Sequence, residues 1–135
     1  MDPIVINSHD LLSSAKHSFA LAFPFLKIEF FTKTHDVGKP SWTKFMIQDL
    51  DERFESVSPN NSKGVVVIRP HMRVADLEQH FQELFGFGVQ VFRKSKNTWL
   101  ETTSSDDTVL EELNLKAKTD SENISEMIFD GDSEG

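Results

Sequence analysis

The sequence predicts an α+β fold built from two tandem β-α-β-β units and a disordered acidic C-terminal tail. Two observations support this prediction: an offset of 62 residues aligns the two halves, and both halves place apolar residues at helical spacing. We expect the first unit at residues 1–57, a linker at 58–63, the second unit with a short terminal helix at 64–115, and the tail at 116–135. Neither unit can bury its apolar surfaces alone. The helices should therefore pack on one face of a mainly antiparallel sheet.

The 62-residue offset aligns the apolar residues of a predicted strand in each half, and it also aligns phenylalanines of the two halves. Ile4-Val5-Ile6 falls on Val66-Val67-Ile68, which predicts the first strand of each unit, and His9 falls on His71. Most of the twelve Phe residues should lie in the core, because the ring has no polar group to keep in water. These matches indicate an internal repeat. The aligned rings are Phe19, Phe23 and Phe25 with Phe81, Phe85 and Phe87.

One helix is predicted in each unit from an apolar stripe at i, i+4, i+7 and i+8, the spacing of a helix with one buried face. Pro24 should end the first helix, because proline lacks an N–H and disfavours helix in the residue before it. Gly86 should end the second, because glycine accepts the left-handed C-cap conformation. The stripes are Ala15, Phe19, Ala22 and Phe23 in the first unit, and Leu77, Phe81, Leu84 and Phe85 in the second.

Two strands are predicted after each helix. Apolar and polar side chains alternate at 26–30 and at 89–91, as in a strand with one buried face. A turn follows in each unit, and then a second strand that holds a tryptophan, at 41–44 and at 98–101.

A short terminal helix is predicted from Val109 to Leu113. Thr108 and Glu111 have the spacing of a capping box for it. Asp106 and Asp107 precede this helix, where the helix dipole favours negative charge. We interpret the two carboxylates as helix N-terminal charges rather than as a catalytic or magnesium pair.

The composition excludes several classes of site. The chain has no Cys, so disulfides, thiolate zinc sites and cysteine nucleophiles are ruled out. The net charge of −8 includes six acidic residues after residue 118, and without these six the rest of the chain carries only −2. No signal peptide is visible, and the longest apolar run, at 19–26, is far shorter than the roughly 20 residues that span a bilayer. We expect a cytoplasmic protein without a membrane segment.

Residues 81–107 read FQELFGFGVQVFRKSKNTWLETTSSDD. A helix that ends in Phe-Gly, a strand of the form Val-x-Val-Phe-Arg-Lys and then Trp-Leu-Glu-Thr-Thr resemble small uncharacterised α+β proteins of the Bacteroidota. Residues 23–31, FPFLKIEFF, resemble the N-terminal part of the same proteins, so the likeness covers most of residues 1–115. The resemblance implies a bacterial, cytoplasmic origin and a compact α+β domain. It implies no activity, cofactor or site residue.

No catalytic or metal-binding pattern stands out. His71, Glu78 and His80 are close in sequence, but residues two apart on a helix point to different faces, so surface histidines are the favoured interpretation. The chain has no Gly-x-Ser-x-Gly elbow and no phosphate-binding glycine loop. We therefore expect a non-enzymatic protein without a cofactor or a metal.

The leading functional hypothesis is a protein-interaction module, either an adaptor or an accessory subunit, whose protein partner is unidentified. Edge strands of the two units or a motif in the tail would recruit the partner. The tail motif is an apolar cluster within acidic residues, of a kind that orders on contact with a partner; incidental hydrophobes in a solubilising tail are the other interpretation. The motif consists of Ile124, Met127, Ile128 and Phe129.

The alternative hypothesis is a nucleic-acid-binding regulator. Arg93, Lys94 and Lys96 precede Trp99 on a strand and turn. Basic residues interleaved with aromatic rings on a sheet bind single-stranded nucleic acid by phosphate contact and stacking. Exposed lysines also protect edge strands from aggregation, which is the structural interpretation of the same residues.

Overall fold

The computed structural model describes residues 2–32, 43–102 and 107–134, with side chains as far as residue 122. Within these ranges no helix is both long and apolar enough to cross a membrane. The strands are β1 (Ile4–Asn7), β2 (Leu26–Phe31), β3 (Val65–Ile68), β4 (Gly88–Ser95) and β5 (Thr98–Glu101). The helices are α1 (Leu12–Ala22), α2 (Phe54–Val57), α3 (Val74–Phe85) and α4 (Leu110–Glu134), with a 3₁₀ helix at Thr43–Phe45.

The strands form antiparallel sheets, which confirms the predicted α+β class. They are divided between a two-stranded sheet, β1-β3, and a three-stranded sheet in the order β2-β4-β5. The first strands of the two halves thus pair with each other, Val5 opposite Val67, and so do the strands that follow α1 and α3, Glu29 opposite Gln90. Each sheet is therefore assembled from strands of both halves of the chain.

The strand predicted at 41–44 is not present in its last two residues, which belong to a 3₁₀ helix. Residues 41 and 42, including Trp42, lie outside the described residues, and Thr43–Phe45 form the 3₁₀ helix. The amide of Met46 closes this turn by donating to the carbonyl of Thr43 at 3.0 Å. Met46 then forms an isolated bridge opposite Phe31 of β2. In it the amide of Thr32 donates to the carbonyl of Phe45 at 2.8 Å, and the amide of Ile47 donates to the carbonyl of Phe30 at 2.7 Å.

Helices α1 and α2 cap each other through main-chain groups. Neither helix has a side-chain cap at its N-terminus. The amide of Leu12 donates to the carbonyl of Glu52 at 2.9 Å, and the amide of Phe54 donates to the carbonyl of Asp10 at 3.1 Å. The first N–H groups of each helix, which have no partner within their own helix, are thus satisfied by the segment that leads into the other.

Helices α3 and α4 repeat this arrangement. The amide of Val74 donates to the carbonyl of Thr108 at 3.0 Å, and the amide of Leu110 donates to the carbonyl of Met72 at 2.9 Å. These bonds correspond to those of α1 and α2. The residues at the start of α1 match those at the start of α3 at an offset of 62, and the residues at the start of α2 match those at the start of α4 at an offset of 56.

The same bonds explain why the predicted capping box is wrong. Helix α4 begins at Leu110, one residue later than predicted, and the amide of Glu111 donates to the carbonyl of Pro70 at 3.1 Å. The carboxylate of Glu111 instead pairs with His71 at 3.0 Å. The main chain of the turn before α3 therefore takes the place of the Thr108 side chain.

Helix α4 is also longer than predicted. It continues beyond Leu113 through residues 116–122, where the tail was expected, because Ala117 packs in the interior with Leu110 and Leu113. The predicted tail motif and the predicted disorder of residues 123–135 lie outside the side chains that the structure describes.

One apolar cluster joins both halves of the chain. Its centre is Phe54 on the four-residue helix α2, whose ring lies 5.4 Å from that of Phe30 and 5.0 Å from that of Phe85. The prediction that most phenylalanines are buried is confirmed. The fully buried rings are Phe19, Phe23, Phe30, Phe31, Phe54, Phe81, Phe85 and Phe87.

Replacing Phe54 with alanine should lower the free energy of unfolding by about 3–5 kcal/mol, because it empties the centre of the ring cluster. Phe45→Ala is the matched control, since Phe45 is only half-buried and its loss should cost far less. Urea unfolding followed by circular dichroism measures both values. Equal losses in the two variants would contradict a core centred on Phe54.

Candidate functional site

The four residues of the predicted basic and aromatic site are split by the sheet. Arg93 is opposite Leu100 and Lys94 is opposite Trp99 in the β4-β5 pair. Side chains of neighbouring residues in a strand point to opposite faces. Arg93 therefore lies on one face of the sheet, and Lys94 and Trp99 lie on the other. Lys96 lies in the turn between the strands with a positive φ of 58°.

The face that carries Trp99 contains residues that the sequence interpretation missed. The ammonium of Lys27 lies 5.1 Å from the ring centre of Trp99 and 5.4 Å from that of Phe92. Lys27 also pairs with Glu29 at 3.6 Å. The alternation along β2 places Lys27 and Glu29 on this face. The rings are thus engaged by a lysine of the chain itself, and a carboxylate lies beside them.

The histidines do not converge with Glu78. His71 is 81% exposed at its side chain and pairs with Glu111, and His80 is exposed on α3. Glu78 is buried, and one of its carboxylate oxygens accepts the amide of Val91 at 3.2 Å. The described ranges contain no group of three His, Asp or Glu side chains that is able to hold a metal ion.

The aspartate pair is described only in part, because Asp106 lies outside the described residues. The Asp107 side chain is 98% exposed, and its carboxylate lies 3.9 Å from the guanidinium of Arg73, the residue that precedes α3. This arrangement agrees with a surface charge near the α3 and α4 N-termini.

The β1-β3 sheet presents an apolar face to solvent. Ile6 and Val66 point into the core, whereas Val5 and Val65 on the opposite face are 53% and 49% exposed. Val67, also on that face, is half-buried. Within the two strands this face consists of three valines and Asn7, so it is a small exposed apolar face and a candidate contact site.

The two strands of this sheet also have outer edges. Ser8 donates to the carbonyl of Gly64 at 3.0 Å, and the register continues with Ile6 opposite Val66. In an antiparallel pair, residues that bond to the partner strand alternate with residues whose N–H and C=O point away from it. The outward-pointing groups therefore belong to the odd-numbered residues, which include Val65 and Val67 on β3 and Val5 on β1.

The outer edge of β1 is partly closed by an aspartate. The carboxylate of Asp10 accepts the amide of Asn7 at 2.8 Å, and the amide of Asp10 donates to the carbonyl of Asn7 at 3.0 Å. After β3, Arg69 and Met72 correspond to Asn7 and Asp10, and the amide of Met72 likewise donates to the carbonyl of Arg69 at 3.1 Å. Met72 has no carboxylate, so the amide of Arg69 lacks the acceptor that Asn7 has.

A groove of about 680 Å³ runs between β3 and α3. It is lined by three consecutive residues, Val65, Val66 and Val67, whose side chains alternate between the two faces. A cavity that touches all three lies at the edge of the strand. The other wall includes Leu84, which packs so closely on the start of β3 that a Cβ added to Gly64 would lie 2.8 Å from its Cδ1 atom.

An ion pair holds the residue that leads into β3. The ammonium of Lys63 lies 2.7 Å from the carboxylate of Glu55 on α2. The hydrogen bond from Lys63 lowers the pKa of Glu55 below its ordinary value, and burial opposes this only in part. The pair links the segment before Gly64 to α2 at the surface, where solvent screens it.

Amide hydrogen exchange tests this assignment of edges. The amides of Val67 and Arg69 should exchange more than about tenfold faster than those of Val66 and Ile68, because only the latter donate to β1. Exchange followed by NMR at neutral pH measures each amide separately. Protection of Val67 equal to that of Val66 would show that its edge is already paired.

No protein-family model, no curated protein and no solved structure matches this chain. The likeness to small proteins of the Bacteroidota therefore stays a prediction, and the geometry of the chain itself carries the functional argument.

Proposed function

We propose that this chain is a non-enzymatic protein-interaction module, an adaptor or accessory subunit that works in the cytoplasm. The observation that carries the proposal is the exposed apolar face of the β1-β3 sheet, next to the groove along β3. Removing such a face from water favours association by roughly 25 cal/mol for each Å² of apolar area. Main-chain groups at the outer edge of β3 add directional bonds to that apolar contact.

We also infer that the two halves are copies of one β-α-β-β unit. The support is the pattern of main-chain bonds that recurs between α1 and α2 and between α3 and α4. In this proposal one copy of the strand edge was closed by Asp10, and the other, next to Met72, stayed open for a partner.

Replacing Val65 with lysine should abolish capture of the partner, because the new charge would have to be desolvated in the contact. The matched control is Leu21→Lys, since Leu21 is 69% exposed on α1, away from the β1-β3 sheet. Tagged full-length chains are cross-linked in lysate of the source cells, and the captured proteins are compared by quantitative mass spectrometry.

The expected result is one reproducible partner that wild type and Leu21→Lys retain and that Val65→Lys loses. A set of captured proteins that is the same for all three chains would contradict the proposal.

A nucleic-acid-binding regulator is the second candidate. It is favoured by Lys94 and Trp99, which are cross-strand neighbours on one face. It has less support, because Lys27 already lies over the rings of Trp99 and Phe92. A base would have to displace that ammonium in order to stack.

If this second candidate is correct, the chain should bind a fluorescent oligothymidylate at low salt, with an affinity that falls as salt rises. The triple variant Arg93→Ala, Lys94→Ala, Lys96→Ala should then lose that binding, whereas Lys63→Ala, which removes a cation elsewhere, should keep it. Fluorescence anisotropy over a salt series measures both. Absence of binding at low salt would eliminate the candidate.

A further inference from the structure

We propose that the outer edge of β3 takes up an extended acidic peptide of a partner protein, which joins the β1-β3 sheet as a third strand in the groove beside α3. The inference rests on the proposed interaction function and names the class of segment that is bound.

Main-chain groups of β3 that have no partner strand among the described residues face the groove. Val65 and Val67 direct their N–H and C=O away from β1, and no other strand pairs with them in the part of the chain that the structure describes. The amide of Arg69 continues the same row. An extended peptide satisfies such a row with main-chain bonds, as in the general mode of strand addition. β3 and the following Arg69 are five residues and span about 16 Å at 3.3 Å per residue, so the segment has about five paired residues.

The second step is the difference between the two edges of the sheet. On β1 the carboxylate of Asp10 occupies the amide of Asn7, and a negative charge lies where an acidic strand would approach. On β3 the corresponding residue is Met72, which lines the groove with an apolar, flexible side chain. Strand addition is therefore directed to β3, although the two strands pair symmetrically with each other.

The third step is the shape and apolar character of the groove. Leu84 and Met72 line the groove, and a second cavity of about 320 Å³ shares Arg69, Met72 and His80 with it. An extended segment that pairs with β3 presents alternate side chains to the two faces of the sheet. Side chains on one face would contact Met72 and Leu84, and apolar ones are favoured there.

The fourth step is charge. Asp76 pairs with Arg73, the residue before α3, at 3.3 Å, so a cation offsets its charge. Glu83 accepts a hydrogen bond from the neutral amide of Gln79 at 2.8 Å and keeps its negative charge beside the groove. The guanidinium of Arg69 has no ion pair or hydrogen bond among the described residues, and it lines both cavities. A carboxylate on the peptide would pair with Arg69. The preferred segment is thus acidic as well as apolar.

A separate segment fits this groove better than the β3 edge of a second copy. α3 borders the edge along its length through His80, Glu83 and Leu84. A second copy would have to bring its own α3 into the same space, whereas a single extended strand has no helix beside it. The acidic C-terminal residues of this chain remain a competing occupant, and the experiment separates them.

The experiment selects peptides from a random twelve-residue phage library on the immobilised full-length chain. Val67→Pro serves as the counter-selection target: the proline removes the outward amide of Val67, and an outward N–H on an edge strand is a place where proline is tolerated. Val5→Pro is the matched control, because Val5 is the cross-strand partner of Val67 and points outward from β1. Circular dichroism and thermal unfolding report whether each variant is folded.

Enriched peptides should be acidic and apolar and should bind wild type and Val5→Pro equally, with binding at least about tenfold weaker to Val67→Pro, a loss of about 1.4 kcal/mol. Synthetic versions with single N-methyl groups should lose a similar factor only at alternate positions, because only every second peptide N–H bonds to β3. Arg69→Glu should reverse the preference for acidic peptides. If Val67→Pro does not fold, the N-methyl series and Arg69→Glu decide the question.

Three results would overturn the proposal. The first is enrichment of no peptide, or of peptides that bind Val67→Pro as well as wild type. The second is self-association of wild type, by sedimentation, that Val67→Pro abolishes, which assigns the edge to a second copy. The third is a tenfold gain in peptide affinity when Ile128 and Phe129 are both replaced with Asp, which assigns the edge to the chain's own C-terminal segment.

These outcomes leave the proposed function separately testable. A partner captured from lysate that depends on Val65, together with no peptide binding, would retain the interaction module and reject strand addition.

Discussion

The burial of phenylalanine rings from both halves is the constraint on which the rest of the structure depends. Phe54 has only a four-residue helix to hold it, yet its ring contacts rings from β2, α3 and the turn that leads into β4. Neither half is able to cover these rings alone, so the halves must close on each other. That closure pairs β1 with β3 and β2 with β4. Within each half, two helix N-termini also meet, and main-chain carbonyls there satisfy amides that would otherwise lack partners.

The same closure leaves a two-stranded sheet at the surface. Two strands have two outer edges, and an open edge invites unwanted pairing unless it is blocked. Asp10 closes part of one edge by taking the amide of Asn7. The other edge carries Met72 at the corresponding place and borders a groove with a cationic residue, Arg69. The two strands pair symmetrically, but one outer edge is partly closed and the other is open, which favours binding at β3. This asymmetry is the physical basis of the functional proposals.

Local patterns made much of the fold predictable. The end of α3 at Gly86, the ring burial and the β4-β5 hairpin all follow from residue type and spacing over a few positions. Phe54 was missed because a four-residue helix is too short to show an apolar stripe. The exposed face of β3 was missed because Val65–Ile68 is apolar on both sides and hides the alternation. The position of Arg93 could have been predicted from the sequence. Val89 and Val91 point inward, and the alternation of side chains along a strand places Arg93 on the same face of the sheet.

Amide exchange of the complex with a selected acidic peptide tests strand addition at β3 most directly. Saturating peptide should slow exchange at the amides of Val67 and Arg69 and leave that of Val5 unchanged, since only the β3 edge gains acceptors. New protection at Val5, or changes confined to the face of Lys94 and Trp99, would contradict it.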